Sequence, residues 1–177
     1  MESRRKRKRS QITKWVCYAL LMLLCTVLQT LPGLFRLGEA KPLWLLPLAL
    51  AVAVEEGEFA GGIFGAVCGL MWDYTAGRTA GLLAFELLLL CFLLSAVMQL
   101  YFKTSAANVV LLETAAVLLV LSLDWMLFYY MPGYAGAALR YIAFVLPSAV
   151  LTIPAALLAF WLVQRIHDGF GIDNGVV

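Results

Sequence analysis

Three stretches of this chain, Leu82 to Phe102, Val109 to Met131 and Tyr141 to Val163, run for more than 20 residues each with no more than two charges apiece. An α-helix of about 20 apolar residues crosses a bilayer's hydrocarbon core. Inside that core every backbone N–H and C=O must be satisfied by the chain itself, which admits only helices or a closed barrel. The runs show no alternation of apolar and polar residues, so a barrel is excluded. The expected fold class is an all-α integral membrane protein, a polytopic helical bundle. Composition agrees: 63% of the 177 residues are hydrophobic and 14% charged, against about a quarter charged in a soluble domain.

The remaining apolar segments complete a layout of about six spans: 15–35, 43–54, 59–74, 82–102, 109–131 and 141–163. A basic cytoplasmic tail, 1–14, precedes them and a polar cytoplasmic tail, 164–177, follows. The first run exceeds the usual apolar core of a signal peptide, so it reads as an uncleaved helix. The second and third are short, and two short spans, one long tilted span or a re-entrant hairpin all fit 43–74. Gly57 with Glu55, Glu56 and Glu58 argues against one continuous helix there.

Residues 1–14 hold seven basic residues against one glutamate, a net of +6. Placed directly before a span, they hold the N-terminus in the cytoplasm beside anionic lipid rather than binding nucleic acid. Six spans then put nine Lys and Arg inside and four outside, the bias that the positive-inside rule requires.

Within 57–74, GEFAGGIFGAVCGLMWDY, glycine recurs at every fourth position: Gly57, Gly61, Gly65 and Gly69, and the next step is Asp73. Residues four apart share one helix face, so the glycines form a smooth stripe along which backbones approach closely. That stripe serves packing within the bundle or contact with a partner subunit. Asp73 reads as an interfacial carboxylate in water, near Arg78. Asp124 is the most deeply placed in-span acid, either protonated or paired with a polar group such as Gln99 or Gln29. Asp73 and Asp124 are the candidate functional carboxylates, since charges at such depth usually face a bundle interior or wet cavity.

Catalytic signatures are missing. None of Ser95, Ser122 and Ser148 lies in a nucleophile elbow, and there is no nucleotide-binding loop. His167, beside Asp168, reads as part of a solvated tail. Glu55–Glu56 lacks the arginine of the EExxxR motif of prenyl-protein proteases, Ala60 standing in its place. Cys17, Cys25, Cys68 and Cys91 have no metal-ligand spacing and read as packing residues. The expectation is a protein that is not an enzyme, with no metal and no cofactor.

From 41 to 82 the chain resembles the bacterial rod shape-determining MreD family. Its G-x3-G-x3-GF-x2-GL-x2-D block is matched by Gly57, Gly61, Gly65, Gly69, Leu70 and Asp73, with Pro42 before it and Gly81 after. Glu55–Glu56 stands where the family often has an arginine. The resemblance implies a non-catalytic subunit of the cell-wall (peptidoglycan) elongation complex in the bacterial cytoplasmic membrane. It implies binding to the bitopic scaffold MreC and, through it, coupling to MreB, RodA and a class B penicillin-binding protein. It also implies a fold similar to the S component of energy-coupling-factor transporters. The alternative function, a vitamin-binding S component, would need a helix face that the first span lacks.

Overall fold

A computed structural model of the protein describes residues 2–31, 40–77, 81–101 and 106–170. Its helices are α1 (Glu2–Thr30), α2 (Leu45–Glu56), α3 (Glu58–Ala76), α4 (Leu82–Tyr101), α5 (Ala106–Trp125), α6 (Ala137–Arg140) and α7 (Leu146–Phe170). Two π-helical turns extend them: Met126–Tyr130 continues α5, and Tyr141–Val145 joins α6 to α7. Four helical stretches are long and apolar enough to cross a membrane: Arg9–Thr30, Leu82–Leu100, Asn108–Tyr130 and Ala137–Phe170. The chain is an all-α polytopic membrane protein.

α2 is too short for that set, with 12 residues, and it lies inside the bundle. Its residues from Leu45 to Ala53 are all buried, and it packs against α1, α3, α4, α5 and α7. A helix apolar on every side is buried in protein or spans a membrane, and these contacts put α2 in the core. LLPLALAVAV therefore forms the axle around which the longer helices stand, and its 12 residues have no lipid thickness to match.

A helix that begins inside apolar surroundings leaves its first N–H groups without partners, and water cannot supply them. Two side chains do so here. Gln29 Oε1 of α1 accepts from Trp44 N–H at 3.2 Å and Leu45 N–H at 3.1 Å. Thr152 Oγ1 of α7 accepts from Leu43 N–H at 3.1 Å.

The chain reverses at Gly57, whose φ of +91° is a backbone region that side-chain-bearing residues rarely adopt. Ala53 and Gly61, each four residues from Gly57, touch across the turn. In one straight helix residues eight apart would stand about 12 Å from each other. The segment 43–74 is thus two helices folded back on one another.

Two expected tails are also helical. α1 starts at Glu2 and α7 runs to Phe170, and Ser10 Oγ donates to the Phe170 carbonyl at 2.9 Å. The basic segment is therefore a helical extension of the first span. The loop holding Arg36 lies outside the described residues, as do Arg78 and Lys103.

Candidate functional site

α3 is where the glycines place it. A Cβ on Gly61 would overlap the Ala53 backbone of α2. One on Gly65 would lie 2.6 Å from Cys91 Sγ and 2.9 Å from the Leu87 carbonyl of α4. One on Gly69 would lie 2.5 Å from Ala84 Cα and 2.7 Å from the Leu83 carbonyl oxygen. Gly61, Gly65 and Gly69 therefore face this chain's own α2 and α4, and Gly57 makes the turn. On the other side of α3, Phe59, Ile63, Val67, Leu70 and Tyr74 point outward.

Asp73 ends the same helix, but it is not wet. Its side chain is 1% exposed, and Oδ2 accepts from Gly81 N–H at 2.8 Å. The carboxylate spans the turn between α3 and α4, satisfying a donor that precedes the next helix. The expectation of a solvated interfacial acid fails because Asp73 is buried and bonded to Gly81 immediately before α4. Its suggested partner Arg78 lies outside the described residues.

Asp124 is half-buried one residue before the end of α5. The amides considered for it are engaged elsewhere: Gln29 holds the start of α2, and Gln99 donates to Ser95 Oγ at 3.2 Å. Beyond Asp124 the α5–α7 connection is pinned by Trp125 Nε1–H, which donates to the Ala137 carbonyl at 2.8 Å. Ser122 Oγ and Tyr141 OH are bonded at 2.9 Å, and the Arg140 guanidinium lies 4.4 Å from the Tyr129 ring centre. Glu113, and not Asp124, is the fully buried acid of this helix, and neither of its oxygens has a hydrogen-bond partner among the described residues.

At the N-terminal end of the bundle, three side chains from two helices converge on one carboxylate. Lys14 Nζ lies 2.6 Å from Glu56 Oε2. Tyr18 OH donates to Oε1 at 2.8 Å, and His167 Nδ1 lies 3.0 Å from the same oxygen. Burial alone would push the Glu56 carboxyl up. The bonds from Lys14, His167 and Tyr18 outweigh it and hold the group below the usual carboxylate range. Next to it, burial raises Glu55. The cluster ties α1, the α2–α3 turn and α7 together, so His167 is a structural partner and not a solvated tail residue. The signal for it was present: Lys14, Glu56 and His167 each stand just outside a span on what six spans make the same side.

Lys14 and Gln29 lie 15 residues apart on α1, and Thr152 and His167 15 apart on α7. Both intervals correspond to about 22 Å of helix. α2 is therefore held from the ionic cluster at one end to the amide and hydroxyl at the other, by the same two helices.

The family model for the rod shape-determining protein MreD matches residues 9–166. The chain belongs to the MreD family. The match runs from within α1 to within α7 and includes Lys14, Tyr18 and Glu56 of the ionic cluster but not His167. Membership makes this a multi-pass bacterial membrane protein of the rod shape-determining system. No curated protein and no solved structure matches the chain. The S-component likeness thus gains no structural relative, and a vitamin-transporter role has no family match behind it. Among the described residues of this MreD chain, no three His, Cys, Asp or Glu side chains gather as metal ligands.

Proposed function

We propose that this chain is a non-catalytic subunit of the bacterial cell-wall elongation complex that binds the bitopic scaffold MreC. Through MreC it supports the coupling of MreB filaments to RodA and a class B penicillin-binding protein. The observation that carries the reading is the family match over 9–166. The N-terminus lies in the cytoplasm, because six basic residues from Arg4 to Arg9 precede the first span and such clusters are retained inside.

The glycine stripe supports that role from within, by seating α3 so that its outward residues keep a fixed register. Those residues, Leu70 and Tyr74 among them, are then available to a partner helix. The test is co-purification of MreC with the tagged full chain from membranes. MreC is expected to be retained by wild type, and its absence beside a folded chain would overturn the reading. A Leu70→Ala, Tyr74→Ala double variant separates the α3 face from other surfaces, and unchanged retention would remove that face from the proposal.

A further inference from the structure

Between α1 and α3 an apolar groove of about 390 Å³ opens at the lipid-facing surface. Trp15, Ala19 and Met22 form one wall, and Ala60, Ile63 and Val67 the other. Its floor is Phe64, whose ring lies 6.3 Å from Trp15 and 6.2 Å from Tyr18. Small residues at 19 and 60 keep it open.

Its length is informative. Trp15 to Met22 and Ala60 to Val67 each rise about 10 Å, within the roughly 15 Å depth of one leaflet. A membrane-crossing partner helix would need a track through both leaflets. This one begins at the level of Lys14, where the polar cluster marks the end of the bundle, and stops within the same leaflet. An acyl chain has that length and direction.

The end of the groove is marked by charge. At about 100° per residue, the unbroken register of α1 puts positions 4, 8 and 11 within about 40° of Trp15. In sequence, Arg4, Lys8 and Gln11 thus have the helical spacing of the face that carries Trp15, Ala19 and Met22. Lys14 is neutralised by Glu56, and Glu58 lies on the opposite side of α3 from Ala60 in its register. Without Lys14 the segment preceding Trp15 still carries a net charge of +5, six basic residues from Arg4 to Arg9 against Glu2, and the groove has no charged residue among its lining.

We propose that this groove binds an anionic phospholipid, one acyl chain lying between α1 and α3 and the headgroup held by the basic extension of α1. The site is independent of whether the chain binds MreC. Each cation near an anionic headgroup favours it by about fivefold.

The experiment is native mass spectrometry of the full chain in detergent. The probes are equimolar phosphatidylglycerol and phosphatidylethanolamine with identical acyl chains. Wild type is expected to retain phosphatidylglycerol about fivefold or more over phosphatidylethanolamine. Ala19→Trp, at an exposed position, fills the groove and is expected to abolish that retention at an unchanged melting temperature. Ile63→Trp fills it from the other wall and serves should the first variant fail to fold. Arg4→Gln with Lys8→Gln is expected to remove the headgroup preference while one lipid still binds. Equal retention of the two lipids by wild type would overturn the proposal. So would phosphatidylglycerol retention that survives a folded groove-filling variant, including one in which only co-purification of a membrane protein is lost.

Discussion

Glu56 is one carboxylate answering for three helices. Lys14, 4% exposed, has no water to fall back on when its partner is removed, and breaking a buried pair costs about 3–5 kcal/mol. Glu56→Ala is therefore expected to lower the melting temperature of the purified protein sharply. Glu56→Gln should lower it less, because the amide still meets Tyr18 and His167. The pH dependence follows from the depressed carboxyl. A group bound more tightly as its anion contributes stability above its unfolded value, near 4.5, and loses it as pH falls through the lower folded value. The gap in melting temperature between wild type and Glu56→Gln should thus be full at neutral pH and close in acid. Glu55, held high by burial, and Asp168 share the surroundings with His167, Lys14 and Tyr18. The difference between the two proteins, rather than the wild-type curve alone, is the quantity to measure. A gap that stays constant down to pH 3 would place the stabilisation elsewhere than on the Glu56 anion.

At the scale of elements, α2 shows how a short helix is held inside a membrane protein. The N–H groups of Leu43, Trp44 and Leu45 where it begins meet Gln29 and Thr152, and an unsatisfied buried donor costs about 1–3 kcal/mol. Gln29→Leu orphans two of them and Thr152→Val one, so Gln29→Leu is expected to be the more destabilising in thermal unfolding. Both variants act on the same turn, so their effects should not add. Much of this element was legible beforehand. Pro42 and the break at Gly57 flank α2, which covers the all-apolar LLPLALAVAV and also takes in Glu55 and Glu56. The burial of α2 did not show, because an apolar run reads the same whether lipid or protein surrounds it. Nor did its partners: Gln29 and Thr152 are single polar residues within other spans, and only the tertiary fold brings them to the start of α2. The same limit hid the surroundings of Asp73, since a carboxylate between Trp72 and Tyr74 looks interfacial until the Gly81 N–H closes over it.

At the scale of the whole molecule, the glycine step decides how closely the bundle can assemble. The spacing in sequence marked α3 as a close-packing helix but left open which neighbours it meets. The structure turns Gly61 to α2 and Gly65 and Gly69 to α4, which makes the stripe a joint between the axle and the outer helices. Each of these glycines meets backbone or a short, fully buried side chain, so an added methyl cannot be absorbed by a flexible side chain moving aside. Gly65→Ala is expected to cost about 1–3 kcal/mol, the usual range for overpacking a tight contact. Gly62, where a Cβ would find the Leu88 carbonyl at 3.5 Å, is the control within the same helix. Gly62→Ala meets ordinary contact and gains about 1 kcal/mol of helix propensity, so it should be neutral or stabilising. Thermal unfolding of the two variants in one detergent distinguishes a packing role from a general intolerance of change in α3. MreC retention then separates fold from contact. For Gly65→Ala it should fall only in proportion to the loss of folded protein, whereas an outward substitution that weakens the complex should do so at full stability. Loss of MreC from a Gly65→Ala chain that melts like wild type would mean that the stripe meets the partner directly, against the inward orientation of all three glycines.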